Sequence, residues 1–421
     1  MKKNLLLLAV AVAALASCSN DETVATNQTL EDANTISFRT FVGGQTRAAD
    51  ITTANLGSFK AYAKLSSDGT STYFAEDVFT KSGSTFSSTA KHYWPASGSL
   101  DFYAYSPTTS TQFTHGSTET LAFTVTPSST ISEQVDLVVA NTNGKSKAGA
   151  YLASDPYNAS PGSTDKTYGA DGIPLNFRHA ESKVVVIFKN GQANLKIDVQ
   201  AFKIVNVDGT ATYTYTKASN TSTDGNNTDP TAAGTTLTDQ WTDNGDSYTV
   251  TYTATPAAMN QIAPSTSTAV YLQDNGTAST TANEKLSMIL IPQTTNKVAA
   301  YTGSAVGNAL EANKTYIAVK MIIRNNDSLD DGTDSPSTNT KGTIIANCTG
   351  NGDWAIWPVD FTWLPGKKYI YTIDLGDGGY WEKEHVAGDT DLDKVLEGAE
   401  IKFVSVTVDD WDNSASDVTF P

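Results

Sequence analysis

Apolar and polar residues alternate in short runs along most of this chain, and the runs stop at Gly, Pro or Ser/Thr clusters. Residues 35–42, 99–105 and 120–125 show this period of two, the signature of strands with one buried face. The rhythm resumes at 183–188, 196–207, 211–216, 247–253, 286–291, 315–323, 368–375 and 401–408. No run longer than about ten residues keeps a helical period. The pattern therefore predicts an all-β protein, built as two β-sandwich domains in series with long polar loops at 219–239 and 325–341. Residues 141–172 are poor in apolar side chains and rich in Gly, Ser, Asp and Asn. They are read as the junction, giving domains over 48–172 and 173–421.

The N-terminus sets the compartment. Lys2 and Lys3 precede an apolar run over 5–16 that closes on Leu15-Ala16-Ser17-Cys18, which reads as a signal peptide over 1–18 ending in a lipobox. The run is well short of the roughly 20 residues a spanning helix needs. Small residues before a cysteine resemble the bacterial lipoprotein pattern, in which the Cys18 thiol takes a diacylglycerol and becomes the new N-terminus. The competing reading is an ordinary signal peptide with a chance cysteine. Residues 19–34 are polar and acidic, without periodicity, and read as a tether. With Cys18 committed to lipid, Cys348 is the remaining cysteine and no intramolecular disulfide can form. A net charge of −17 and a pI near 4.6 argue against nucleic acid as a partner.

The chemistry-bearing residues are scattered. His92, His115, His179 and His385 show no metal-ligand spacing, and neither a G-x-S-x-G elbow nor a Walker loop occurs. No cofactor and no enzymatic activity is expected. Asp389, Asp391, Asp393 and Glu400 fall at positions 1, 3, 5 and 12 of a calcium-type loop, with Leu396 at position 8. Lys394, however, stands where that loop needs glycine, and the plainer reading is a solvated acidic turn. Tyr93-Trp94-Pro95 and the tryptophans Trp354, Trp357 and Trp363 are either sugar-stacking platforms or sandwich core, and core is the favoured reading.

Several motifs in order resemble those of the fimbrillins, the pilin family of the type V pili of Bacteroidales bacteria. They are the lipobox at Cys18, Thr46-Arg47-Ala48 after the first strand, Tyr93-Trp94-Pro95 and Leu100-Asp101-Phe102-Tyr103-Ala104-Tyr105-Ser106-Pro107. Leu175-Asn176-Phe177-Arg178-His179-Ala180, Leu290-Ile291-Pro292-Gln293, Leu364-Pro365-Gly366-Lys367-Lys368-Tyr369 and Val406-Thr407-Val408-Asp409-Asp410-Trp411 follow. The resemblance covers nearly the whole chain. It implies two transthyretin-like β-sandwich domains and a lipidated precursor at the outer membrane. It further implies an Arg-specific protease that removes 19–47, the tether and first strand, and an extracellular fimbria built from copies of this chain or related pilins by donor-strand exchange.

The residues fit that scheme on their own terms. Arg47 and Ala48 lie in a stretch of small residues that a protease can bind extended, whereas Arg39 lies inside a strand pattern, Arg178 beside one and Arg324 next to a polar loop. Ile36, Phe38, Thr40 and Val42 would be the displaced strand, and its loss would leave edges for another strand to fill. Val404, Val406 and Val408, continued by Val418 and Phe420, are the expected donor strand, unless this tail is an ordinary final strand of its own domain. A monomeric surface glycan-binding lipoprotein is the alternative from another class.

Overall fold

The computed structural model describes residues 34–42, 51, 55–83, 85–109, 111–115, 119–124, 134–151, 166–215, 241–243, 250–295, 315–326, 342, 344–347, 353–375, 379–383, 395–396, 403–410 and 415–416. In chain order the first half holds β1 (Phe38–Val42), β2 (Ser58–Leu65), β3 (Thr72–Ser82), β4 (Thr85–Ser88), β5 (Leu100–Ser106), β6 (Thr111–Thr114), β7 (Thr120–Thr124) and β8 (Val138–Lys145). A short ladder of β9 (Ala150–Tyr151) with β10 (Lys166–Thr167), a single helical turn α1 (Tyr168–Asp171) and β11 (Ile173–His179) complete it. Seven of these strands close into a barrel in the order β1-β11-β8-β5-β2-β3-β4, with Phe38 opposite Phe86 sealing β1 to β4.

Alternation explains the barrel. On β2, Phe59, Ala61 and Ala63 point inward. On β5 the same holds for Leu100, Phe102 and Ala104, and on β11 for Ile173, Leu175 and Phe177; all belong to one buried cluster. The outward residues Tyr62, Tyr103 and Tyr105 are equally buried, but in a second cluster. They lie beneath a four-stranded sheet of order β15-β14-β7-β6, to which β14 (Thr210–Thr214) and β15 (Trp241–Asp243) come from the later half of the chain. The Tyr215 hydroxyl donates to the Ala104 carbonyl at 2.8 Å, and Tyr215 N–H donates to the Glu119 carbonyl at 2.9 Å, so the two halves share hydrogen bonds as well as core.

The remaining strands make a two-sheet sandwich. One sheet runs β18-β12-β23-β26-β27, from β12 (Ser182–Asn190), β18 (Thr266–Val270), β23 (Lys367–Asp374), β26 (Phe403–Asp410) and β27 (Ala415–Ser416), with β19 (Met288–Leu290) also on β12. The other runs β16-β13-β20-β22-β24-β25. Its members are β13 (Leu195–Val207), β16 (Val250–Ala254), β20 (Tyr316–Asn325), β22 (Asp353–Pro358), β24 (Gly379–Lys383) and β25 (Val395–Leu396), with β17 (Asn260–Ile262) on β13 and β21 (Ile344–Asn347) on β20. Val184, Val186 and Phe188 face Phe202, Ile204, Val319 and Met321 across the core, with the Phe188 and Phe202 rings 5.7 Å apart.

The chain is thus all-β, as its strand rhythm indicates, and its sheets are curled, the first so far that it closes. The strand after the polar stretch, β11, is hydrogen-bonded into the barrel on both sides, and the chain crosses into the sandwich at Ala180 and Glu181. Among the described residues no helix is long and apolar enough to cross a membrane.

Candidate functional site: the seat of the first strand

β1 is bound along both edges. It runs parallel to β11 over five register pairs, from Phe38 with Ile173 to Val42 with Phe177, and antiparallel to β4 at Phe38 and Phe86. The lead-in to the strand is held too. Ile36 N–H donates to the His92 carbonyl at 2.7 Å, Trp94 N–H to the Asn34 carbonyl at 3.1 Å, and Ile173 N–H to the Ser37 carbonyl at 2.9 Å. Lys147 Nζ donates to Asn34 Oδ1 at 2.6 Å.

Ile36 and Phe38 are buried and Thr40 is half-buried. The Phe38 ring meets Phe79, Phe102 and Phe59 at centroid distances of 4.8, 5.2 and 5.6 Å, all edge-on. Such contacts suit the aromatic quadrupole and need a ring of about this size to fill the space. Gly172, which precedes β11, has φ +87°, and a Cβ there would lie 3.3 Å from the Phe38 carbonyl carbon. The positive φ favours glycine there, and the absence of a Cβ eases the close approach to the β1 backbone.

Arg47 and Ala48 lie outside the described residues, as does Cys18. The chain returns at Ile51, whose N–H donates to Asp136 Oδ2 at 2.6 Å. The other Asp136 oxygen bonds His179 Nδ1 at 2.8 Å, at the end of β11. Beside them Glu181 Oε2 accepts the Leu137 N–H at 2.7 Å, while its Oε1 is buried without a partner among the described residues. Burial, and then the nearby Asp136 charge, push the Glu181 carboxyl well above the usual carboxylate range. Asp136 carries no motif that singles it out in the sequence; it lies in the alternating run Val135-Asp136-Leu137.

The other expected sites are dispersed. Val404, Val406 and Val408 lie on β26, which pairs antiparallel with β23 of the same chain from Phe403 with Ile373 to Asp410 with Lys367. β27 turns back onto Val408 and Asp409, while Val418 and Phe420 fall outside the described residues. So do Asp389, Asp391, Asp393, Lys394 and Glu400, leaving Leu396 in β25. Among the described residues no group of three or more His, Cys, Asp or Glu side chains is placed to hold a metal ion.

Trp363 is fully buried, stacked on Phe361 at 4.8 Å and donating to the Tyr371 hydroxyl at 3.0 Å. Trp354 is half-buried, with the Lys203 and Lys320 ammonium groups 4.3 and 5.1 Å from its ring centroid. Trp94 is core, and its neighbour Tyr93 is 46% exposed.

β1 is thus seated between two edges of the barrel it closes. The fimbrillin-like family model matches residues 46–411, a span that opens just past β1. The chain belongs to the fimbrillin-like family. This fimbrillin-like chain is structural and adhesive rather than catalytic, and membership supports a role as a pilus subunit that assembles with other pilin subunits at the cell surface. Solved structures similar to it include a candidate cell adhesion protein from Parabacteroides distasonis, at 12% identity over 89% of this chain and 97% of that one, TM-score 0.41. A candidate cell adhesion protein from Bacteroides uniformis follows at 13% identity over 90% and 98%, TM-score 0.33. The tip fimbrial protein Mfa3 from Porphyromonas gingivalis, with a C-terminal truncation, is 11% identical over 89% and 100%, TM-score 0.33. No curated protein matches the chain.

Proposed function

We propose that this fimbrillin-like chain is a pilin precursor, exported as a lipoprotein on Cys18, cut after Arg47 by an Arg-specific protease and polymerised by donor-strand exchange. The observation that carries this reading is the seat of β1: the strand closes the barrel through two edges and the buried Phe38, and the chain that follows it contains Arg47. Its removal would leave β4 and β11 with unpaired backbone groups and a phenylalanine-lined slot, which an incoming strand can satisfy. The expected donor is the C-terminal segment of a neighbouring subunit, Val404, Val406 and Val408 with Val418 and Phe420; for the three valines to be donated, β26 would have to leave β23 of its own chain. Adhesion and colonisation would follow from the assembled fimbria, with the lipidated precursor at the outer membrane. The glycan-binding alternative loses Trp363 as a platform, since that ring is core.

Arg47→Ala tests the maturation step. The variant should fold as wild type does, resist the Arg-specific protease at this site and stay monomeric, because β1 keeps its place. N-terminal sequencing of protease-treated wild type should begin at Ala48. Protease-resistant ladders formed by the variant on a gel would rule out Arg47 as the switch.

A further inference from the structure

We infer that cutting the chain after β1 does not by itself free the strand: the segment ahead of the cut stays in the barrel as a bound peptide, and an incoming strand must compete it out. This rests on the reading that maturation cuts after Arg47. The residues through which β1 is held all lie ahead of that cut, and their partners all lie in the body after it. The contacts comprise the five-pair parallel ladder to β11, the bonds of Asn34 and Ile36 to Trp94 and His92, the Ser37–Ile173 bond, the Lys147–Asn34 bond and the Phe38 ring among three phenylalanines. Proteolysis removes a tether and leaves these untouched, so it converts an intramolecular strand into a ligand with the same interface. On the other side of the cut, Ile51 remains bonded to Asp136, so the new end of the body is also held close to the barrel.

The barrel is accordingly a receptor for an extended peptide of defined chemistry. Ile36-Ser37-Phe38 sets the pattern, an aliphatic residue, a polar one and an aromatic anchor, followed by a strand that runs parallel to β11. A competitor lacking the aromatic anchor would leave the slot between Phe59, Phe79 and Phe102 empty, and apolar voids of that kind are strongly unfavourable. The first strand thus guards the seat against weak strands after the cut has been made.

The test uses the full chain with the recognition sequence of a site-specific protease inserted between Gly44 and Gln45, so that cutting does not depend on Arg47. After digestion, native size-exclusion followed by mass spectrometry should find the N-terminal fragment co-eluting one-to-one with the body. In the Phe38→Ala version the fragment should leave roughly a hundredfold faster or more, as a core Phe→Ala loss implies. Where that variant fails to fold, a labelled synthetic peptide of residues 33–43 replaces it. It should exchange into cut wild-type protein, and the same peptide carrying Phe38→Ala should not. A fragment that separates at once from a still-folded body would overturn the inference, as would exchange indifferent to Phe38. An intact Arg47 bond under the Arg-specific protease would sink the maturation reading and leave the result of the engineered cut standing.

Discussion

The joint between barrel and sandwich makes a quantitative prediction through Lys64 and Glu119. Lys64 projects outward from β2, and Glu119 stands directly before β7 in the bridging sheet. Their charged atoms are 2.6 Å apart, with side chains 5% and 3% exposed. The Lys64 ammonium also sits 5.1 Å from the Tyr103 ring centroid. Burial first, and then the Glu119 charge, push the Tyr103 phenol up, so it keeps its proton beside the carboxylate. Breaking such a buried pair from one side leaves an uncompensated charge, which costs about 3–5 kcal/mol, whereas replacing both partners by apolar residues of similar size is nearly neutral. Lys64→Met and Glu119→Leu should therefore each lower the unfolding free energy by about 3–5 kcal/mol, and the double variant should lie within about 1 kcal/mol of wild type. Urea unfolding of the four proteins, followed by tryptophan fluorescence and far-UV circular dichroism, closes the cycle. Single substitutions costing under about 1 kcal/mol would mean that water screens the pair. A double variant as unstable as the sum of the singles would mean the two residues do not act on each other.

Three further outcomes follow from the site. Glu181→Gln should stabilise the protein more at pH 7 than at pH 5. The folded carboxyl holds its proton above the unfolded value near 4.5, so wild type loses up to about 1.4 kcal/mol per pH unit as pH rises from there toward the folded pKa; an equal difference in melting temperature at the two pH values contradicts this. Gly172→Ala should destabilise the barrel by about 1–2 kcal/mol, since it forces a side chain into φ +87° against the β1 backbone, while Gly57→Ala, with no atom closer than 4.0 Å, should not. Equal melts for the two variants would refute the close approach. Cys18→Ala should abolish incorporation of labelled fatty acid, and label retained on the substituted protein would end the lipoprotein assignment.

The first strand was legible because its alternation, Ile36, Phe38, Thr40, Val42, has a period that needs no tertiary knowledge. Its partner was not. β11 begins 135 residues after β1, counting from Phe38 to Ile173, and a parallel ladder between such distant segments leaves no local mark in either. Residues 100–105 show the same divide. They read as alternating, with one face outward, yet Tyr103 and Tyr105 are as buried as Phe102 and Ala104, because a sheet assembled from both halves of the chain covers the barrel there. Polarity misleads in the opposite sense at Asn141, Thr142 and Asn143: they opened the stretch read as a junction, and they are buried residues of β8. Composition reports average exposure, and here Asn141 and Thr142 sit opposite Tyr103 and Phe102 of β5, a strand buried on both faces.

Why the exchangeable element should be β1 rather than any other barrel strand follows from connectivity. β2, β3 and β4 follow one another along the chain and pair in sequence; β5, β8 and β11 are likewise joined to preceding and following strands. Removing one of these would need two cuts and would strand the elements on either side. Among the described residues β1 pairs with β11 and β4, neither of which is its neighbour along the chain, and its covalent link to the next described barrel strand runs through residues 43–57. One cut in that connection therefore severs it covalently without disturbing another strand. The parallel placement adds to this, since a parallel neighbour is not tied to it by a tight turn, which could hold an antiparallel strand in place. In a barrel closed by its first described strand, the chemistry that seats that strand, an aromatic anchor between two edges, is also what an incoming strand would have to reproduce.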